Sequence, residues 1–176
     1  MKKRLVLLLI PVLLAGFLAG CSSDDGGSVT SDGGASGSGS SAPKENCEAE
    51  NGTTAARDAE VHVQLNEWAI TLDKKTVKAG NVEFDVKNIG GEKHEFVVIH
   101  GAKPSDFTIT DKGIDEEALP NGATSIGELG SVKAKTGHCT VTFKLPAGDY
   151  TLICNIVDDM GHVHVKMGMI TPFTVT

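Results

Sequence analysis

The chain has 176 residues, 40% of them hydrophobic and 22% charged, with 23 acidic against 16 basic side chains and a formal net charge of −7. That length supplies one domain with a single core. The acidic balance and the lack of a basic stripe argue against nucleic acid as a partner and leave room for steering of basic partners.

Residues 1–20 read as a secretory signal. Lys2, Lys3 and Arg4 precede an apolar run from Leu5 to Leu18 that is too short, and too interrupted by Pro11, for a permanent membrane span. The run ends in Leu18-Ala19-Gly20-Cys21, which resembles the bacterial lipoprotein processing box. That resemblance implies that Cys21 becomes a lipidated N-terminus, holding the chain on the extracytoplasmic face of a bacterial membrane. Residues 21–58 then form a linker, rich in Ser, Gly and Asp up to Pro43. Such a stretch cannot bury enough apolar surface to offset its ordering entropy, so it reads as a flexible tether.

Residues 59–176 form the folded domain, and their pattern alternates with period two. Val61, Val63 and Leu65 alternate with polar residues, as do Trp68, Ile70 and Leu72, and then Val82, Phe84 and Val86. Asn88-Ile89-Gly90-Gly91 ends that third strand, and Phe96–Ile99 is a continuous apolar run suited to a strand buried on both faces. Residues 104–130 form an acidic excursion in which one helical turn is expected around 114–119. Val141, Phe143 and Leu145 are expected to pair with Tyr150, Leu152 and Cys154 as a hairpin across Pro146-Ala147-Gly148-Asp149. Phe173 and Val175 close the chain. Many short strands between turn signals predict an all-β sandwich.

The chemistry concentrates in two segments. His94 stands where a strand begins, in Asn88-Ile89-Gly90-Gly91-Glu92-Lys93-His94-Glu95-Phe96-Val97-Val98, and Cys154 is followed by His162, His164, Met167 and Met169. Thiolate, imidazole and thioether together are a soft donor set suited to copper. Taken singly, each residue has a plainer reading: a surface histidine, a core methionine, a buried or bridged cysteine. The ordered set of all four favours a metal.

These segments resemble the cupredoxins of the plastocyanin, pseudoazurin and halocyanin type over the whole presumed domain. The resemblance implies a Greek-key β-sandwich holding one type 1 (blue) copper ion, with His94, Cys154 and His164 as equatorial ligands and Met169 as the axial one. His164 is preferred to His162 because the spacing His164-Val165-Lys166-Met167-Gly168-Met169 matches the family. Residues 155–163 make the gap between Cys154 and the second histidine longer than the family's few residues.

With Cys21 lipidated, three cysteines remain outside the cytoplasm, where thiols tend to pair. A Cys47–Cys139 disulfide would leave Cys154 free for copper; a Cys139–Cys154 bridge is the alternative, disfavoured by the expected hairpin register. His62, His100 and His138 carry no partner motif and read as surface or strand residues. The implied function is one-electron transfer between extracytoplasmic redox proteins by a monomer, through an exposed ligand edge near His164. A copper carrier delivering metal to other cuproproteins uses the same donors. An enzyme is not expected: multicopper oxidases need several such domains, and no paired carboxylates, nucleophile motif or phosphate loop stands out.

Overall fold

A computed structural model describes residues 47–176; the signal, Cys21 and the first part of the linker lie outside the described residues. Among the described residues ten strands form two sheets. The strands are β1 (Ala49–Glu50), β2 (Ala59–Asn66), β3 (Ala69–Leu72), β4 (Thr76–Val77), β5 (Gly80–Asn88), β6 (His94–His100), β7 (Thr124–Val132), β8 (His138–Leu145), β9 (Gly148–Ile153) and β10 (Ile170–Val175). The larger sheet has the order β1-β7-β6-β9-β10-β4 and the smaller β3-β2-β5-β8. No helix of the described residues is long and apolar enough to cross a membrane.

The alternating residues do what their period requires. Val61, Val63 and Leu65 from β2, Val82, Phe84 and Val86 from β5, and Val141, Phe143 and Leu145 from β8 point inward. They meet Phe96, Val98, Leu129, Tyr150, Leu152, Phe173 and Val175 of the larger sheet in one core. Phe84 sits at its centre, with ring centroids 5.2 Å from Phe96, 6.3 Å from Phe143 and 5.7 Å from Phe173. A Cys47–Cys139 disulfide ties the N-terminal segment to β8.

Three expectations are corrected. First, β8 and β9 are not a hairpin: β8 pairs with β5 in the smaller sheet, whereas β9 lies between β6 and β10 in the larger. Both strands have one apolar face, and facing each other across the core satisfies the same alternation as lying side by side. The Tyr150 hydroxyl donates to the Pro146 carbonyl at 2.7 Å, pinning the crossing, in the manner of the tyrosine corner of Greek-key sandwiches. Second, residues 114–119 form no helix. The excursion instead holds two single 3-10 turns, Pro104–Asp106 and Pro120–Gly122, and then β7. Third, the linker's expected end at residue 58 is too late. β1 pairs with β7, and the Thr53 and Asp58 N–H groups donate to the Thr142 and Asn81 carbonyls.

The excursion covers the outer face of the larger sheet. Ile114, with Phe107, Ile109, Leu119 and Ala123, packs on Val97, Ile99 and Ile153. Val163 and Val165, from the segment after β9, join this second core. That explains why β6 is buried on both faces.

Candidate metal centre

His94 opens β6, Cys154 follows the last residue of β9, and His164 begins a one-turn helix, α1 (His164–Met167). All three side chains are fully buried. The two imidazoles approach through Nδ1, 3.2 Å apart, and Cys154 Sγ lies 3.9 Å from His94 Nδ1 and 3.3 Å from His164 Nδ1. The point equidistant from these three atoms is about 2.0 Å from each. That is close to first-row metal bond lengths of about 2.0 Å to nitrogen and 2.3 Å to thiolate. Two imidazoles and one thiolate in a triangle are the donor set of a type 1 copper site.

Residues 155–163 are looped out rather than inserted between ligands. Val157 bridges to Val163, the Asp158 N–H donates to the His162 carbonyl, and the His164 N–H returns to the Ile156 carbonyl at 2.9 Å. The segment thus closes on itself, and His164 hydrogen-bonds beside Cys154 as though the connection were short. His162 stays outside the triangle: it is partly exposed and its Nδ1 pairs with Asp158 at 2.8 Å.

Met169 is fully buried and Met167 is 47% exposed. The Met169 backbone is held from both sides, its N–H donating to the His164 carbonyl at 3.1 Å and its carbonyl accepting from the Cys154 N–H at 3.0 Å. Gly168 makes this turn possible. Its φ of +128° lies where side chains are strained, and a Cβ there would approach the Trp68 carbonyl oxygen to 2.9 Å.

Without metal, burial favours the neutral form of each donor, and a bound metal would take the place of the thiol proton. Burial pushes the Cys154 thiol up to about 12, against the N–H groups of Glu95 and Ile156. Burial also lowers His94, helped by His164 and opposed by Glu67, and it lowers His164 against the pull of Glu92 and Asp158. Glu67 lies 3.1 Å from His94 Nε2, and Glu92 lies 3.4 Å from His164 Nε2. The second pair is misaligned for a hydrogen bond, and neither atom has another partner among the described residues. An imidazole that gives Nδ1 to a metal must carry its proton on Nε2, and a carboxylate behind each ring is the usual device for fixing that tautomer. Partial burial raises the Glu67 carboxyl, but the N–H groups of Gly91 and Glu92 outweigh it and hold the group below its ordinary range.

The turn between β2 and β3 is the part of the site that the sequence did not disclose. Glu67 backs His94, and the next residue, Trp68, lies edge-on to His164 with ring centroids 4.9 Å apart. The exposed ligand edge expected at His164 is therefore absent. Trp68 and Glu92 cover that ring, and Trp68 itself is only partly buried. Neither residue has a motif; a lone Trp after an acidic residue reads as strand.

Behind Cys154, the 113–116 turn grips Asn155. The Asn155 amide exchanges hydrogen bonds with the Ile114 main chain at 2.8 and 2.9 Å and donates to Glu116 at 2.9 Å. The Asn155 N–H donates to the Glu95 carboxylate.

No protein-family profile and no curated protein sequence matches the chain. Solved structures do. Auracyanin B matches at TM-score 0.51 with 21% identity, over 75% of this chain and 99% of its own. Reduced rusticyanin matches at 0.47 with 16% identity, over 69% and 82%. Dithionite-reduced auracyanin from the photosynthetic bacterium Roseiflexus castenholzii matches at 0.44 with 21% identity, over 67% and 95%. The fold is thus a cupredoxin-like β-sandwich, the architecture shared with auracyanin B. Within it, His94, Cys154 and His164 converge as a soft donor set that suits copper, and Met169 is buried with its backbone hydrogen-bonded to Cys154 and His164.

Proposed function

We propose that this chain is a blue copper protein that carries single electrons between redox partners outside the cytoplasm, held to the membrane by a lipid on Cys21. The burial of His94, Cys154 and His164 around one point at bonding distance carries this reading. Bound copper supplies a one-electron couple between Cu(I) and Cu(II). The chain's residues do the rest. Cys154, whose sulfur also accepts the Glu95 N–H at 3.4 Å, supplies the soft donor. Glu67, paired with His94 Nε2, sets which nitrogen of that ring faces the centre. The two cores keep donors from rearranging between oxidation states.

Trp68 is the ring through which we read electron exchange, since among the described aromatic rings against His164 it is the one that is partly exposed. The shallow hollow lined by Glu92, Val157, Asp158 and Met160, with Met160 70% exposed, offers a partner an apolar landing with an acidic rim. Delivery of copper to other proteins is the less favoured reading, because full burial of every donor opposes rapid handover. A monomer with no enzymatic role fits this account.

The test is a visible spectrum of the soluble domain titrated with Cu(II). One equivalent should develop an intense thiolate-to-copper band that Cys154→Ser abolishes; stoichiometric copper binding without the band would instead favour the carrier. The anchor is tested separately: Cys21→Ala should move the chain from the membrane fraction to the soluble one, and unchanged partitioning would remove the lipid from the account.

A further inference from the structure

The outer face of the smaller sheet carries a second cluster of side chains able to ligate a metal, made of residues other than those of the first. In the parallel pairing of β2 with β5, His62 stands opposite Asp85. In the antiparallel pairing of β5 with β8, His138 stands opposite Lys87, one place diagonal from Asp85. Their inward neighbours Val61, Val63, Phe84, Val86 and Cys139 are buried, so all three side chains emerge on one solvent face. Asp85 is gripped from two sides. One carboxylate oxygen pairs with His138 Nε2, and the other lies 3.3 Å from His62 Nδ1. Glu60, two residues before His62 on the same face, completes a group in which the ligand atoms of Glu60, His62 and Asp85 all lie within 4.8 Å of one another.

We propose that Glu60, His62 and Asp85 form a second metal site, for a borderline divalent ion such as zinc, with His138 orienting Asp85. The chemistry differs from that of the buried centre. One imidazole and two carboxylates, without sulfur, suit Zn(II) or similar ions and give no preference for Cu(I). The architecture is what such a site needs: the ligands project from paired strands whose opposite faces are locked into the core. His138 on the far oxygen of Asp85 is the kind of outer partner that fixes a ligating carboxylate. Access is open, since the His62 side chain is 53% exposed. Among nearby cations, Arg57 engages Glu83 at 2.6 Å and touches Glu60 at 3.4 Å, and Lys74 donates to the Glu60 carbonyl. Among the described residues Asp85 has only the two imidazoles as partners.

Equilibrium dialysis against zinc tests this with the parent, His62→Gln and His138→Gln proteins in parallel. The parent should bind one zinc more than His62→Gln under identical loading. His138→Gln should retain that ion with affinity lowered about tenfold or more. Because the result is a difference between variants, any zinc taken by the buried centre cancels, and failure of the copper reading would leave it unchanged. Both substitutions lie on the outer face of the smaller sheet, away from the core, and circular dichroism confirms that each variant is folded. Equal zinc stoichiometry and affinity in parent and His62→Gln would overturn the proposal, as would a parent that binds this extra ion only at millimolar zinc.

Discussion

The two faces of the six-stranded sheet are buried by different means. The inner face meets another sheet and is filled by a cluster of phenylalanines around Phe84, with Tyr150 behind Phe173. The outer face meets loops, through a smaller aliphatic cluster built on Ile114, Val163 and Val165. The metal centre lies where the two meet. Cys154 and Met169 belong to the inner core, whereas His164 is flanked by two residues of the outer one. The inner core therefore supplies most of the stability, and the outer core positions one histidine. An acidic excursion that resembles decoration in the sequence is a brace for the centre.

This division of labour can be broken from either side. Phe84→Ala should cost about 3–5 kcal/mol, read by urea unfolding of the metal-free domain. The absorption of whatever remains folded and copper-loaded should be unchanged. Ile114→Ala should cost less, about 2–3 kcal/mol, yet shift the copper band and speed metal loss, because Val163, Val165 and the Asn155 clamp lose their backing. If Phe84→Ala moved the band and Ile114→Ala did not, the assignment of roles would be reversed.

The smallest effect should come from Glu95, where the cores adjoin. Burial chiefly, with Glu116 and Glu128 adding repulsion against the Asn155 N–H, raises its carboxyl to about 7. An unfolded chain releases that proton near its ordinary 4.5, so stability falls as pH rises from about 4.5 to 7 and levels off above. Glu95→Gln should then stabilise the metal-free domain by about 1–2 kcal/mol at pH 8. The gain should vanish below pH 4.5. A gain of equal size at both ends would trace it to something other than this carboxyl.

Much of the sandwich was legible because alternation encodes which side of a strand is buried. Val61-Val63-Leu65, Val82-Phe84-Val86 and Phe173-Val175 all lie where the pattern puts them. Alternation does not encode the neighbour, and so β8 and β9 could pass for a hairpin while belonging to different sheets. β7 was missed because Gly127, Gly130 and the lone acidic Glu128 blur its period. At the centre, the convergence of His94, Cys154 and His164 was visible because soft ligands in a β-domain are few. What lies behind them was not: Glu67, Trp68, Glu92 and Asn155 act through proximity created by the fold, and none occupies a spacing that chemistry requires. His62 and His138 were passed over for the same reason, since pairing three strands is what brings them to Asp85.

The folding back of residues 155–163 also bears on time. With His164 sealed under Trp68 and its main chain tied to Ile156, a metal at this centre has no open ligand through which a competitor could attack. Escape would require the segment from Asn155 to Met169 to peel away from the sheet, breaking the bonds that join Met169 to Cys154 and His164. Such partial openings are rare excursions of a folded chain. On the proposed reading as an electron carrier, electrons would cross this cover while the ion waits beneath it, so turnover and metal exchange would be set by separate clocks.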